Sequence, residues 1–176
     1  ICEDIEKLII NSNYDLVCSN ATFQWLSDFK NTLIKLLSAL KNQGALAFSF
    51  LGSDTFKELK GSYEKAIQNL GLKNQRIPVL KMLSLDEIKE SISNIFAYMN
   101  IPFTIYIEEK KYVYYFKNTT DFLKSIKKVG ANSVCMEDYS YKVGLTKEMI
   151  KIYDEVYKSH QGISATYHCI YVIIKK

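Results

Sequence analysis

Polar side chains stand beside two apolar runs of this sequence. Ser19 and Asn20 end the run YDLVCSN, and His168 lies beside Tyr167 in the run ATYHCIYVIIK. Hydroxyl and amide groups just after a buried strand are typical of a ligand site, because open α/β sheets bind ligands beyond the carboxyl ends of their strands. An imidazole in an apolar strand either shuttles a proton or makes a structural hydrogen bond. The pattern therefore predicts a site at a strand end and leaves both roles of His168 open.

The hydrophobic pattern predicts the elements that must position these residues. Residues 14–20 and residues 45–51 are expected to form two parallel strands, each buried on both faces. Between them, apolar residues at spacings of three and four predict a helix, with Ser27 or Asp28 as its cap and Gly44 just past its end. Strand, helix and strand at this length form a right-handed βαβ unit. The apolar face of the helix consists of Phe29, Leu33, Leu36, Leu37 and Leu40.

Helices and strands continue to alternate after this unit. An amphipathic helix is predicted over residues 56–70, and Ser84 and Glu87 form a capping box for a helix that runs to about Tyr98. Residues 102–116 are rich in Phe, Ile, Tyr and Val, which predicts either one long strand or a strand and a kink. This alternation is typical of the α/β class.

Two helices and a strand are predicted in the remaining residues. The first helix covers residues 120–129 and ends at Gly130. The second begins with Thr146 as its cap and runs to about His160. Residues 165–175 form the last strand, because they are almost continuously apolar.

Composition narrows the class of protein. The 176 residues, 48% of them hydrophobic, can bury one core and are expected to form one domain over 1–176. The net charge of +4 is spread along the chain, so no basic stripe indicates nucleic-acid binding. Without an apolar span or a leader, the chain is expected to be soluble and cytoplasmic, with no membrane partner. The four cysteines form no CxxC pair and are expected to be reduced, with Cys18 and Cys169 in buried strands.

Several short segments resemble one known family. Residues 4–6 (DIE), 14–21 (YDLVCSNA) and 24–25 (QW) are similar to the D-I-E and F-D-L-V-x-S-N-x-x-x-Q-W segments of the malonyl-[acyl-carrier protein] O-methyltransferases of biotin synthesis. The resemblance covers nearly the whole chain, and S-N-x-x-x-Q-W is more specific than D-I-E. The other matches are residues 47–59, which resemble A-F-S-T-L-x-x-G-T-x-x-E-L, residues 126–131, which resemble L-K-x-x-G-A, and residues 165–168, which resemble L-T-Y-H.

The resemblance implies a Rossmann-like class I methyltransferase sheet in which strands four to seven are present and the last is antiparallel. On this resemblance the amino-terminal half-sheet would be absent from these residues, in which no GxGxG occurs. The strand order would be fourth, fifth, seventh and sixth, so the strand over 14–20 would be exposed at an edge where the chain can dimerise. Residues 117–163 would form a helical lid inserted before the last strand.

The resemblance also implies S-adenosylmethionine as the cofactor. Asp4 would accept a hydrogen bond from the adenine amino group, and Ile5 would pack on the adenine ring. Ser19 and Asn20 would face the methionine part and the reacting methyl group. Two simpler alternatives stay open, because Asp4 can be a solvated loop acid and Asn20 can cap the following helix.

The implied methyl acceptor is malonyl-acyl-carrier protein or malonyl-CoA. Its free carboxylate is already the nucleophile at neutral pH, so a general base is not required. The family carries a basic residue, usually Arg, before a Phe-Leu pair, where this chain has LKML over residues 80–83. Lys81 or Arg76 is therefore expected to bind the carboxylate. Gln24 and Trp25 are expected either to line the substrate pocket or to belong to the core or an interface.

His168 completes the set of substrate-binding candidates. Lys127 and Lys128 would suit an acidic carrier protein, although exposed lysines on a helix are usually only a solvated face. The expected function is conversion of malonyl-acyl-carrier protein to its methyl ester, with the 176 residues alone inactive. The alternatives are another small-molecule or carboxylate methyltransferase, or a truncated, non-catalytic methyltransferase-like binding module.

Overall fold

The computed structural model describes residues 2–11, 13–77, 79–128 and 143–176. The strands are β1 Tyr14–Ser19, β2 Leu40–Leu51, β3 Thr104–Phe116, β4 Lys158–Ser159 and β5 Gly162–Lys175. The helices are α1 Phe29–Ser38, α2 Lys57–Asn69, α3 Leu85–Met99, α4 Thr119–Lys128 and α5 Val143–Val156, with a short 3-10 turn at Phe23–Trp25.

The strands form one mixed sheet in the order β1-β2-β5-β3, and the short β4 pairs with β5. β1 is parallel to β2, whereas β5 is antiparallel to β2. The expected order of fourth, fifth, seventh and sixth strands is therefore confirmed, including the antiparallel last strand. β3 is one long strand, which decides between the two alternatives for residues 102–116.

The described residues divide into two compact units. The first contains residues 1–53, 82–110 and 168–176, and the second contains residues 54–81 and 111–167. Each unit buries a hydrophobic core of its own, so each has an independent source of stability. Fully buried members of the first core include Leu33, Leu37, Leu46, Ile95, Ile170 and Ile174. Fully buried members of the second include Ala66, Phe122, Met149, Tyr153 and Ala165.

Two of the predicted helix caps are confirmed by the structure. Asp28 caps α1, because its side chain accepts a hydrogen bond from Asn31 N. Ser84 and Glu87 form the predicted capping box of α3, with both reciprocal hydrogen bonds present. Each bond satisfies an N–H group that a helix start would otherwise leave unpaired.

The prediction that β1 is buried on both faces is wrong. Tyr14 is 43% exposed and Leu16 is 58% exposed, and Cys18 is exposed as well. Within the described residues β1 pairs with β2 alone, so one edge of the strand and much of its apolar surface remain in contact with solvent. Cys169, which was also expected to be buried, is half-buried.

The junction between α1 and β2 also differs from the prediction. α1 ends at Ser38, and Leu40 is the first residue of β2 rather than part of the helix. Gly44 lies within β2 and does not end α1. The pairing of β1 with β2 is irregular near this position, and Gln43 has a φ of 66°. Glycine is required because a Cβ at position 44 would lie 2.9 Å from the carbonyl oxygen of Lys41.

The predicted bounds near residues 117–163 need correction too. α5 begins at Val143, so Thr146 lies within its first turn and does not cap it. The helix ends at Val156 rather than near His160, because β4 and β5 form an antiparallel pair from residue 158 onward. The predicted end of α4 at Gly130 lies outside the described residues. None of the described helices combines the length and apolarity needed to cross a membrane.

Candidate functional site at the strand ends of the first unit

The carboxyl ends of β1 and β2 are joined by side-chain hydrogen bonds. β1 and β2 are in parallel register, with Ser19 beside Phe48, so that Asn20 follows next to Ser49. Ser49 Oγ donates to Asn20 Oδ1 over 2.5 Å. Ala21 N donates to Ser49 O at 2.9 Å and lies 3.3 Å from Ser49 Oγ. Two candidates, Ser19 and Asn20, therefore sit at a fixed strand end, as predicted.

The loop that follows β1 is also fixed by local contacts. Ala21 has a φ of 51°, and its carbonyl accepts a hydrogen bond from Gln24 Nε2 at 2.6 Å. The ring of Phe23 stacks on that of Phe48 with centroids 4.1 Å apart, which places the loop on the first core. Gln24 Oε1 is buried and has no hydrogen-bond partner among the described residues. Trp25, by contrast, is 36% exposed. A ligand or a water that presents a donor would satisfy this acceptor.

Asp4 occupies a turn that other groups hold in place. Its Oδ1 accepts a hydrogen bond from Glu6 N at 3.0 Å, and Lys7 Nζ lies 3.5 Å from its Oδ2. The carbonyl oxygen of Asp4 accepts from the backbone N–H groups of Lys7 and Leu8. Ile5 packs against the first core. Asp4 remains 47% exposed in its side chain, so the carboxylate is accessible to a ligand.

Lys35 connects this turn to α1. Its ammonium group donates to the carbonyl oxygens of Ile5, Glu6 and Leu8 at 3.0, 2.9 and 3.1 Å. In return, Glu6 Oε1 accepts a hydrogen bond from Asp28 N at 2.6 Å, at the start of the same helix. Three donors of one ammonium group are thus satisfied by one turn. The position of the Asp4 turn is set by α1.

His168 is buried within the first unit and paired with a carboxylate. Its side chain is 3% exposed, and Nε2 lies 2.8 Å from Glu109 Oε2 of β3. Its carbonyl oxygen accepts a hydrogen bond from Gly52 N. A Cβ at position 52 would lie 2.7 Å from His168 Nδ1, so the ring requires glycine there. Glu109 was not among the sequence candidates, because the charged residues 108–111 were interpreted only as an interruption of the strand.

The second unit contains a further polar cluster that sequence reasoning missed. Glu58 is 4% exposed, and its carboxylate accepts hydrogen bonds from Thr166 N at 3.0 Å and from Thr166 Oγ1. Burial, followed by the charge of Glu58, raises the pKa of Tyr153, whose hydroxyl donates to Ser164 O. The segments that match T-x-x-E-L and T-Y-H therefore meet at Glu58 and Thr166, which indicates a structural role for part of the resemblance. The sequence signal that could have indicated this cluster is an acidic residue, Glu58, in the first turn of a predicted helix.

The basic candidates belong to the second unit. Lys81 and Arg76 are exposed and lie in the loop between α2 and α3. Lys127 and Lys128 are exposed at the end of α4. Ser19, Asn20, Gln24, Trp25 and His168 all belong to the first unit.

Comparison with known proteins gives the relationship. No protein-family model matches the chain. It is 40% identical over 176 residues to the malonyl-[acyl-carrier protein] O-methyltransferase of Acetivibrio thermocellus, and 37% identical over 177 residues to that of Priestia megaterium. These alignments cover 99% and 100% of this chain but 62% and 65% of the relatives. The chain thus spans about three fifths of the length of the curated relatives it matches.

Two solved structures show the same fold. The YcgJ protein from Bacillus subtilis superposes with a TM-score of 0.57 at 13% identity, covering 99% of this chain and 69% of that one. A candidate methyltransferase from Bacillus halodurans C-125 gives a TM-score of 0.55 at 9% identity with the same coverage. Together these findings show that the chain is homologous to the malonyl-[acyl-carrier protein] O-methyltransferases and has the fold of the class I methyltransferases.

Proposed function

We propose that this chain is part of an enzyme that transfers a methyl group from S-adenosylmethionine to the free carboxylate of malonyl-[acyl-carrier protein] in biotin biosynthesis. The observation that carries the proposal is the 40% identity over 99% of the chain to a relative named for that activity. The same alignment includes the strand-end segment with Ser19, Asn20 and Gln24. Malonyl-CoA offers the same carboxylate and is the second acceptor to be tested.

Groups of the first unit suit S-adenosylmethionine in their chemical type. Gln24 Oε1 is a buried acceptor without a described partner, and an ammonium group would satisfy it. Asp4 retains an accessible carboxylate for an amino group of adenine, with the apolar Ile5 beside it. Ser19 and Asn20 supply a hydroxyl and an amide at the strand end. When bound, the cofactor supplies the activated methyl group.

Positioning, rather than proton transfer, is the task left to the residues of this chain. The malonyl carboxylate is ionised at neutral pH, so it attacks without a general base. Holding the reacting atoms in line within a fixed site lowers the barrier by removing unproductive orientations. We assign His168 to shaping the strand ends, because it is 3% exposed and its Nε2 is held by Glu109.

Methyl transfer by the whole gene product is the direct test. Labelled S-adenosylmethionine would be incubated with malonyl-acyl-carrier protein, and the methyl ester followed by mass spectrometry. Acetyl-acyl-carrier protein, which lacks the free carboxylate, is the control and should not react. Transfer to other small acids but not to malonyl thioesters would favour the alternative carboxylate methyltransferase, and absence of any transfer would refute the enzyme.

Lys81 or Arg76 is proposed to bind the malonyl carboxylate. Both are exposed on one loop, where a cation is available to an incoming acid. Replacing the responsible residue by Met should raise KM for the malonyl thioester by about tenfold, since a charge-assisted bond is worth roughly 1.5 kcal/mol or more. Lys73→Met, an exposed lysine of the same loop, is the matched control. An unchanged KM in both Lys81→Met and Arg76→Met would exclude this loop as the binding site of the malonyl carboxylate.

Lys127 and Lys128 are proposed as a contact for the acidic carrier protein. Both are exposed at the carboxyl end of α4, so their charge is available to a partner. Reversing both to Glu should raise KM for malonyl-acyl-carrier protein at low salt but leave KM for malonyl-CoA unchanged. Lys151→Glu on the exposed part of α5 is the control. Equal effects on both substrates would contradict a carrier contact.

The two described helices within residues 117–163, α4 and α5, are proposed to form a substrate wall. Long insertions with structure of their own are usually functional, and α4 and α5 contribute buried residues such as Phe122 and Met149 to the second core. Hydrogen exchange of the whole protein with and without a malonyl thioester tests this. Slower exchange in α4 or α5 on binding is expected, and unchanged exchange would argue against a wall.

A further inference from the structure

We propose that Ser49 is a positioning residue for Asn20, and that the Asn20 amide donates to a carboxylate oxygen of the ligand bound at the strand ends. The inference rests on the proposed function and adds one residue and one direction of hydrogen bonding to it. Ser49 lies on β2, two residues before the strand ends at Leu51. It was part of a matched segment in the sequence but was not a site candidate.

The hydrogen bonds of Ser49 follow from the orientation of the Asn20 amide, whose Oδ1 faces Ser49 Oγ. The Ser49 hydroxyl is 3.3 Å from Ala21 N, so Oγ faces an N–H donor and serves as an acceptor there. Its own proton is then directed to Asn20 Oδ1, 2.5 Å away. A hydroxyl has a single proton and can donate it to only one partner. The oxygen end of the Asn20 amide is therefore engaged by Ser49.

The other end of the same amide is the part left for a ligand. Asn20 is exposed, and Nδ2 carries two N–H donors. A group that presents only donors selects an acceptor, and a carboxylate offers the strongest one. Two carboxylates are compatible with this chemistry, that of the malonyl group and that of the methionine part of S-adenosylmethionine.

Backbone contacts strengthen the case that Ser49 acts through Asn20. Ala21 N also donates to Ser49 O at 2.9 Å, and Thr22 Oγ1 donates to Asn20 O at 3.0 Å. The backbone around Asn20 is thereby held, so the remaining freedom is rotation of its side chain. The hydrogen bond from Ser49 Oγ restricts that rotation. Such an arrangement lowers the entropic cost of binding because the amide is already oriented.

Nuclear magnetic resonance on this chain tests the positioning step without any enzyme assay. Side-chain couplings of Asn20 should report one rotamer in the wild type, averaged rotamers in Ser49→Ala, and one rotamer again in Ser49→Thr, which keeps the hydroxyl. Ser38→Ala, an exposed serine at the end of α1, is the control and should change nothing. Equal couplings in wild type and Ser49→Ala would overturn the inference. A thermal melt of each variant guards against general unfolding.

A double-mutant cycle on the whole gene product tests the functional step. Ser49→Ala should lower kcat/KM by about tenfold through a misplaced amide, and Ser49→Thr should restore it. In the Asn20→Ala background Ser49→Ala should have no further effect, and a full additional loss would overturn the inference. If the wild type transfers no methyl group, the proposed function fails, and the rotamer measurement alone decides the role of Ser49.

Asn20→Asp distinguishes the two carboxylates. The substitution replaces two donors by acceptors in the same shape, so it repels the bound carboxylate. A rise in KM for malonyl-acyl-carrier protein alone would assign the amide to the methyl acceptor, and weaker binding of S-adenosylmethionine alone would assign it to the methionine part. Tighter or unchanged binding of both ligands would overturn the assignment of Asn20 as a donor to a carboxylate.

Discussion

Gly52→Ala tests whether the packing around His168 is as tight as the structure shows. The added Cβ would lie 2.7 Å from His168 Nδ1 and 2.7 Å from Ile170 Cδ1. The isoleucine methyl can rotate aside, but the imidazole is 3% exposed and held by Glu109, so it cannot move without breaking that bond. The ring therefore sets the cost of the substitution.

The magnitude follows from two opposing terms. Overpacking a buried position costs about 1–3 kcal/mol. The lower entropy of the unfolded alanine chain returns about 0.4–1 kcal/mol. A net loss of about 1–2 kcal/mol in the free energy of unfolding is expected. With a urea dependence of roughly 1–3 kcal/mol per molar, the unfolding midpoint should fall by about 1 M.

Urea titration can isolate the unit that carries the change. Trp25 is the single tryptophan of the chain and lies in the first unit with Gly52, so its fluorescence reports on that unit. Gly144→Ala, in the second unit, is the matched control, because no atom of the described residues lies within 4 Å of the added Cβ and the position is helical. Its unfolding, followed by circular dichroism, should show a gain of up to about 1 kcal/mol. A midpoint for Gly52→Ala equal to or above the wild type would refute the packing argument.

Four further outcomes are expected. Thr166→Val removes a hydroxyl donor from the buried Glu58 and should lower the free energy of unfolding by about 1–3 kcal/mol in urea. Thr104→Val, at an exposed position, is the control and should be close to neutral. A backbone N–H bond lowers the pKa of Asp28, so its contribution is present above the ordinary carboxyl range and lost as pH falls through the folded pKa. Asp28→Asn should therefore show a smaller drop in urea midpoint between neutral and acid pH, and an equal drop would contradict this. Calorimetric titration of the 176 residues with S-adenosylmethionine should give no dissociation constant below about 100 μM, a limit worth about 5 kcal/mol. Light scattering should show association of these residues through the exposed edge of β1 and less of it in Leu16→Lys, whereas a monomeric wild type would count against the edge.

The order of the sheet could be predicted from the family resemblance, and the caps of α1 and α3 could be predicted from neighbouring residues. Asp28 and Ser84 each carry a side chain that satisfies a helix start, and such signals depend only on neighbouring residues. The predicted burial of β1 failed for the opposite reason. Whether Leu16 is covered depends on which strands lie beside it, and an apolar run has the same composition in either case.

Pairs of site residues that are distant in sequence were harder to predict than single residues. Asn20 was identified from its place after a strand, but its partner Ser49 depends on the register between β1 and β2. Glu109 is likewise recognised only once His168 is placed beside it on another strand. Gly44 and Thr146 were misassigned because glycine and threonine also occur within strands and first turns.

The hydrogen bonds of Lys35 carry a consequence for chemical modification of the protein. Acetylating the ammonium group of Lys35 would remove its charge and two of its three N–H donors. Because the turn around Asp4 presents three carbonyl oxygens to this group, two of them would lose their partner. Reagents that acylate lysines should therefore reach Lys35 late compared with the exposed Lys41, and their eventual reaction should release residues 4–8 to proteases. If Asp4 contacts adenine as proposed, the bound ligand would stabilise this turn and so slow the acetylation of Lys35 without contacting that lysine. Mass spectrometry of partly acetylated protein would then report ligand binding through the extent of acetylation at Lys35.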